Sequence, residues 1–547
     1  MYNTFHLDPI HFMNITTFCL RQPLIPMFQA EINYGLKSKW PVAKDLAGSN
    51  SPCRIEGEIS ELVVLGDIPP GIDGTFYRVM CDPFMPPNPR NVPIDGDGNI
   101  SAFRFHNGHV DMKMRYVDTE RLKLEREARK SLFGLYRNPF THHPCVRAAV
   151  DSTANTNVLY WAGHLLALKE VALPYAVHPD TLETISYDPF GPQIKAKTFT
   201  AHPKIDPLTK ELVVFGYEAK GLGTKDIVIY SLDDEGFKLD EQWIEAPWCA
   251  FIHDCAITPN WIILVLWPFE ANVERMKAGK HHWAWDYDLP ASFIVVPRRR
   301  KFKLPSSWQQ GEHRVYHWKN AMPIHTGGAW EDGGKIYFES SRVLDNGFPF
   351  FPPDDGKKPS PDAKADYVRW VIDVREPSGT QIPDPLVIID VPAEFPRIDE
   401  RFMTQPYEYV FMNVHIDRTA DGVDTLHHSL NGLAMHSNKT GKTRWFYAGK
   451  DSLVQEPIFI PRTPDAPEGD GWIIAMVERC SKHLSELVIL DTNNFEEPIS
   501  IVQLPMHVKA QVHGNWLDTR IRTPGQRIVR RTDEVIISGK GALEPLD

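Results

Sequence analysis

Short apolar runs rich in β-branched and aromatic residues recur along nearly the whole chain, with few helix-forming segments between them. ELVVLGDIP, TFYRVM, NVLYWAGHLLALKE, ELVVFGYEA, KDIVIYSLD, WIILVLWPF, ASFIVVPR, KIYFESSRV, PLVIIDVP, GWIIAMVER and SELVILD all read as strands. The 46 prolines and 35 glycines fall mostly between these runs, where turns need a fixed or a positive φ. Only a few segments, such as TERLKLEREARKSLFG from 119 and FEANVERMKAG from 269, read as helices. A doubly wound sheet needs a helix after nearly every strand, so this pattern points to an all-β propeller or a large barrel instead. No fixed-period repeat of the WD or kelch kind is present, and blade number cannot be counted from repeats.

Composition narrows the function. With 24% charged and 42% apolar residues, the 547-residue chain is that of a globular protein. A net charge of -12 argues against a nucleic-acid partner, which needs a concentrated basic face. The one dense basic run, Arg298 to Lys301, reads as a solvated loop or strand edge. Seven cysteines, an odd number with no C-x-x-C pair, disfavour a disulfide framework and a zinc ribbon and favour a reducing, cytoplasmic setting. WIILVLWPF is about half the length a membrane-spanning helix needs, so stable membrane insertion is not expected. Residues 1–40 read as a poorly ordered leader, with a weak membrane-surface role as the alternative.

Of 22 histidines, the pairs His142-His143, His281-His282 and His427-His428 lie in polar, loop-like contexts and read as solvated. Four others stand at the end or turn of an apolar segment: His202 in FTAHPK, His253 in FIHDCAIT, His325 in PIHTGGAWE and His513 in QVHGNW. They are too widely spaced for a compact ligand motif. A propeller would still bring them together, because each blade delivers its innermost strand to a common axis. On composition alone, scattered core histidines remain the commoner explanation. A rival H-x-D, His415 with Asp417, could join a distal histidine in a facial triad, but its setting is that of a strand running into a polar turn.

Together with LALKE, EFPRID and EPIFIPR, these four contexts resemble the carotenoid cleavage oxygenase family, from about Glu56 to the C-terminus and in the family's order. The resemblance is closest to its lignostilbene- and resveratrol-cleaving branch, of a fungal kind. It implies a seven-bladed β-propeller over 41–547, with helices and loops capping the active-site face. It also implies one Fe(II) held by His202, His253, His325 and His513, with O2 as co-substrate. Glu170 of LALKE, Glu394 of EFPRID and Glu456 of EPIFIPR would back His253, His325 and His513 respectively, leaving His202 without a carboxylate. Such partners fix the imidazole tautomer and offset the charge of a metal bound only by neutral ligands.

In the stilbene-cleaving branch, the residues matching Tyr136 of SLFGLYRNPF and Lys169 of LALKE hold the substrate's phenolic 4-hydroxyl. Thr156 of ANTNVLYW matches a threonine near the open metal position, and Phe348 of NGFPFFP an aromatic against the substrate ring. Taken alone, Lys169 reads as a snorkelling or surface-paired lysine and Phe348 as ordinary core. NVPIDGDGNISAFRF resembles the family's F/W-D-G-D-G-M but carries Ile94 and Asn99 at the aromatic and methionine positions, so the substrate wall near residue 94 is expected to differ. The expected activity is cleavage of the interphenyl double bond of a small phenolic stilbene, such as resveratrol, piceatannol or a lignostilbene. An apocarotenoid cleavage dioxygenase and a non-catalytic propeller binding module are the alternatives, and nothing in the sequence sets an oligomeric state.

Overall fold

A computed structural model describes residues 50–298, 303–360, 363–423, 429–522 and 528. The leader 1–40, His427, His428 and residues 299–301 of the basic run lie outside them. Seven antiparallel sheets form a seven-bladed β-propeller. The first strands of blades 2 to 6 are Asn157–Trp161, Lys204–Asp206, Ala250–Ile257, Met322–Asp332 and Ala393–Ile398. Blade 7 begins with Ser452–Val454 and Ile458–Pro461, both paired to Gly471–Arg479.

The two ends of the described region close the ring. The C-terminal strand Gln511–Asp518 pairs with Gly74–Cys81 as the innermost strand of blade 1. The first strand, Gly57–Ile59, edges blade 1, and the next, Val63–Gly66, pairs with Asn494–Gln503 at the outer edge of blade 7. Blades 1 and 7 thus each contain a strand from the opposite end of the described region.

Blades pack face to face, so their middle strands are buried on both sides, which explains why they read as unbroken apolar runs. WIILVLWPFEA, Trp261–Ala271, is buried at every position but Glu270. This strand extends through Phe269-Glu270-Ala271, so the helix expected from 269 is only Val273–Lys277. The strand wins because the ladder to Ala250–Ile257 and Trp283–Trp285 continues there, and Asn272 then caps the short helix. The other expected helix forms at Glu120–Ala128, with Thr119 as its N-cap. The hairpin in NVLYWAGHLLALKE turns on Ala162 and Gly163, both at positive φ (48° and 84°), the geometry of a two-residue turn that follows strand twist.

Two polar readings need correction. Arg298 is buried, and its guanidinium bonds Asp206 at 2.9 Å and Glu211 at 3.4 Å, because blades 3 and 4 meet over it. His142 and His282 are buried whereas their neighbours His143 and His281 are not, since consecutive residues point opposite ways. His282 lies between the Arg137 carbonyl (3.0 Å) and the Glu218 carboxylate (3.1 Å).

Candidate metal centre and substrate cavity

Register breaks in the innermost strands build the centre. The ladder slips between Ile252 and Cys255, between Pro323 and Thr326, after Glu394, and between Arg78 and Met80 opposite Val512 and His513. A bulge lets a strand re-aim a side chain that strict alternation would send into the blade. His253, His325, Glu394 and His513 all sit at such breaks, while His202 stands two residues before its strand begins. Phe395, in the left-handed region at φ 53°, stacks on the His325 ring at 5.0 Å.

The four imidazoles are buried, with potential ligand nitrogens all within 4.8 Å of one another. Glu170 meets Nδ1 of His253; Glu394 meets Nδ1 of His325 at 2.6 Å, and Glu456 meets Nδ1 of His513 at 3.1 Å. With the Nδ1–H of three rings given to carboxylates, the Nε2 atoms face inward. Those of His253 and His325 lie 2.9 Å apart, and those of His202 and His513 have no partner at all. Ring nitrogens arranged in this way need a shared cation or proton between them, and four borderline imidazoles suit a divalent transition metal. The hydrogen bonds of His202 are made by its backbone, the amide donating to Thr200 Oγ1 at 2.9 Å and the carbonyl accepting from Cys255 Sγ at 3.9 Å. Burial, reinforced by the other three rings, holds His202 well below the usual histidine pKa, so it stays neutral and able to bind metal.

Each carboxylate has a partner of its own. Tyr217 donates its hydroxyl to Glu170 Oε2 at 3.4 Å, Ser341 donates to Glu394 Oε1, and Arg397 reaches Glu456 Oε1 at 3.3 Å. Burial alone would raise the Glu456 carboxyl, but His513 and Arg397 bring it down to about 2. All seven blades therefore contribute to the centre: His513, Glu170, His202, His253, His325, Glu394 and Glu456, in blade order.

Two cavities reach the cluster. One is walled by Ile94, Tyr136, Phe251, Ile324, Phe348 and Phe395, with Thr156 and three of the histidines also on its surface. It encloses about 790 Å³ of empty space, part of it open at the mouth. The other carries more charged groups than the first, touches His202, His325 and His513, and runs past Lys204, Asp254 and Arg397 to exposed Glu400 and Ile521.

Tyr136, Thr156 and Phe348 thus stand on the apolar cavity's surface. Lys169 does not; its Nζ lies behind, 4.9 Å from the centroid of the Tyr136 ring, buried and without a hydrogen-bond partner. Thr156 donates its hydroxyl to Asn155 Oδ1 at 3.0 Å, and Asn155 in turn donates to the carbonyls of Ile94 and Gly96. Gly98 makes this approach possible, since a Cβ there would stand 2.2 Å from the Ala154 carbonyl oxygen. Ile94 lies on the wall as the sequence suggested, whereas Asn99 is turned away and donates to the Ile55 carbonyl at 3.1 Å. His415 and Asp417 take no part in the centre: His415 Nδ1 donates to the Ser429 carbonyl and Asp417 caps Thr419.

Tyr217, Ser341 and Arg397 escaped the sequence reading. Arg397 stands inside EFPRID and could have been suspected as a charge partner; Tyr217 and Ser341 carry no local signal.

A propeller whose axis gathers four imidazoles, three of them backed by carboxylates and open to an apolar cavity, defines a metal-dependent oxygenase of small apolar substrates. The chain belongs to the family of RPE65, the retinal pigment epithelial membrane protein, which is the carotenoid oxygenase family; its family model matches residues 50–518. It is 65% identical over 513 residues to resveratrol cleavage oxygenase 1 of Botryotinia fuckeliana (strain B05.10), covering 93% of this chain and 92% of that one. It is 37% identical over 496 residues to lignostilbene-alpha,beta-dioxygenase isozyme III of Sphingomonas paucimobilis, covering 88% and 98%. The crystal structure of Pseudomonas brassicacearum lignostilbene dioxygenase superposes with a TM-score of 0.82 at 37% identity, over 88% of this chain and all of that one.

Proposed function

We propose that this chain is an Fe(II)-dependent dioxygenase that cleaves the interphenyl C=C bond of 4-hydroxystilbenes, of the resveratrol, piceatannol or lignostilbene type, to two aromatic aldehydes. The observation that carries the reading is an aromatic-walled cavity ending on three of the four converging imidazoles, with a buried tyrosine and an unspent ammonium at its side. The similarity to a resveratrol cleavage oxygenase supports the choice of substrate. Atoms balance: the double bond is broken and one O2 is consumed for the two carbonyls formed.

His202, His253, His325 and His513 would hold the iron, and Glu170, Glu394 and Glu456 would orient three of the rings and offset its charge. Bound Fe(II) supplies the reduced centre at which dioxygen is activated. Phe348 and Phe395 would sandwich the flat substrate and keep water out. Tyr136 would hydrogen-bond the phenolic oxygen. Lys169, with three N–H groups and no acceptor in hydrogen-bond reach, would stabilise the phenolate, whose electrons are conjugated with the central double bond. The Thr156 hydroxyl, its proton committed to Asn155, would limit the space beside the open metal position without donating a proton to it.

Apocarotenoid cleavage is the second reading, and it has no use for a buried lysine beside Tyr136. Among the described residues no helix is long and apolar enough to cross a membrane. The described cysteines are free, which suits a reducing, cytoplasmic setting. The test is metal analysis of the purified protein, followed by aldehyde release from resveratrol, from its 4-O-methyl ether and from an apocarotenal. Iron near one per chain with cleavage of resveratrol alone is the expected result. Efficient cleavage of the methyl ether, which cannot ionise, would overturn the phenolate step.

A further inference from the structure

The D-G-D-G motif at 95–98 touches neither the metal cluster nor, through its carboxylates, the cavity, yet Asp95 is fully buried. Its Oδ1 accepts from Arg121 at 2.9 Å and lies 3.9 Å from Lys169 Nζ. Its Oδ2 accepts from Arg121 at 3.3 Å and from the side-chain amide of Asn91. Asn91 Oδ1 in turn accepts the backbone N–H of Tyr136 at 3.1 Å. One carboxylate is thus connected to both groups assigned to the phenolic oxygen.

The charges around Lys169 are few. Asp151 accepts from Arg121 at 3.1 Å and from His142 Nε2 at 3.1 Å. Because His142 Nδ1 accepts the Gly134 N–H at 2.9 Å, this ring carries its proton on Nε2 and is neutral. Burial pushes the Cys81 thiol up to about 12 and raises the Tyr136 phenol well above its usual value, so neither is charged near neutral pH. Glu170, the next residue along the chain, is spent on His253. What remains is Lys169 and Arg121 against Asp95 and Asp151, with the buried acids Glu125 and Asp97 also facing Arg121, and Arg121 and His142 satisfy Asp151.

We propose that Asp95 is a positioning residue for recognition of the substrate's 4-hydroxyl: it holds the Lys169 ammonium charged and in place and, through Asn91, fixes the backbone of Tyr136. The inference rests on the roles given above to Tyr136 and Lys169. Burial lowers the Lys169 pKa while Asp95 and Asp151 oppose it. Removing the Asp95 charge therefore frees the lysine's proton at a lower pH, and the phenolate loses its counter-charge from the alkaline side first.

The measurement is binding of 4-hydroxystilbene and of unsubstituted stilbene to iron-loaded protein without oxygen, followed by quenching of tryptophan fluorescence, together with the pH profile of kcat/KM on resveratrol. In Asp95→Asn the preference for the hydroxylated ligand is expected to fall roughly ten- to hundredfold, the equivalent of one charge-assisted hydrogen bond. The alkaline limb should move to lower pH, activity should recover on acidification, and iron content should stay as in wild type. Asn91→Ala, which cuts only the arm to Tyr136, should give a smaller loss and no shift of the limb. If Asp95→Asn fails to fold, the double variant D95N/R121Q removes one charge of each sign, leaves the cluster's net charge as in wild type and should show the same loss. Wild-type preference and pH profile in whichever of these folds would overturn the role of Asp95. Wild-type preference in Lys169→Ala would instead sink the reading on which it rests.

Discussion

The four-histidine cluster and the pair of Tyr136 and Lys169, to which we assign the phenol, lie within one propeller but are held in different ways. Around the cluster all four rings, with Glu394 and Glu456, come from innermost strands or the residues beside them, Glu170 alone following the second strand of its blade, and three of the four rings have a carboxylate on Nδ1. Strand ladders that fix the backbone on both sides leave such groups little freedom. At the phenol end, Tyr136 rides on a loop and Lys169 follows the second strand of blade 2, its ammonium held by charge alone at 3.9 Å. The first region is suited to one ion in one geometry. The second keeps donors in reserve for a ligand, and such groups are preorganised electrostatically, not sterically.

The sharpest test of this contrast is to break each side and ask whether the other survives. His513→Ala removes an inward lone pair and leaves Glu456 facing a void, so iron occupancy and cleavage should both be lost, read by metal analysis and aldehyde release. Full iron with normal turnover would remove the centre. Lys169→Ala should reduce turnover to near background while iron stays bound. Loss of iron along with activity would make Lys169 structural and dissolve the distinction between the two regions.

A third effect is set by pH. Arg137, next to Tyr136, is ion-paired to buried Glu218 at 2.5 Å, and His282 ties the Arg137 carbonyl to the same carboxylate. Burial would raise the Glu218 carboxyl, but Arg137 and His282 bring it down to about 2 from 4.5. A lowered carboxylate stabilises the fold fully above its unfolded value and loses that contribution as pH falls through its folded one. The loop carrying Tyr136 should therefore loosen between pH 4.5 and 2, at a cost of about 3 kcal/mol. Glu218→Gln should flatten acid denaturation over that interval, monitored by circular dichroism, and an unchanged acid limb would count against the anchor.

The two regions also differ in how far the sequence reveals them. Each histidine of the cluster ends or breaks an apolar run, a local signal that needs no knowledge of the fold. Their pairing with the glutamates was accessible only through family resemblance, because the partners lie 83, 69 and 57 residues apart and meet across blade boundaries. Strand content was legible because middle strands are buried on both faces, yet blade count was not, since the blades share an architecture without sharing a sequence period. His282 and Arg298 were misread for a related reason: a polar neighbourhood along the chain says little about a side chain whose partner belongs to another blade. At the phenol end, D-G-D-G is conspicuous in the sequence, but the work of Asp95 depends on Asn91, Arg121 and Lys169, which only the folded chain brings together.

The smaller effects grade the cluster's support. Glu394→Gln keeps shape but not charge, and the amide can no longer serve as a carboxylate for both the His325 ring and the Ser341 hydroxyl. Iron affinity should fall roughly ten- to hundredfold without unfolding, as for other partners of metal-bound histidines. Tyr217→Phe should do least of all. The hydroxyl it removes is 3.4 Å from Glu170, near the limit of a useful hydrogen bond, and the ring keeps its packing on Phe251 and Trp283 at 6.1 and 6.2 Å. Glu170 retains its contact to His253, so it should keep that ring's tautomer, and what is lost is about 0.5–1.5 kcal/mol of orientation. Chelator competition should then show iron affinity down severalfold at most, with resveratrol turnover at saturating iron close to wild type. A loss as large as that of Glu394→Gln would mean that Tyr217 fixes Glu170 outright, and that the cluster, like the phenol end, depends on a group reaching in from outside its strands.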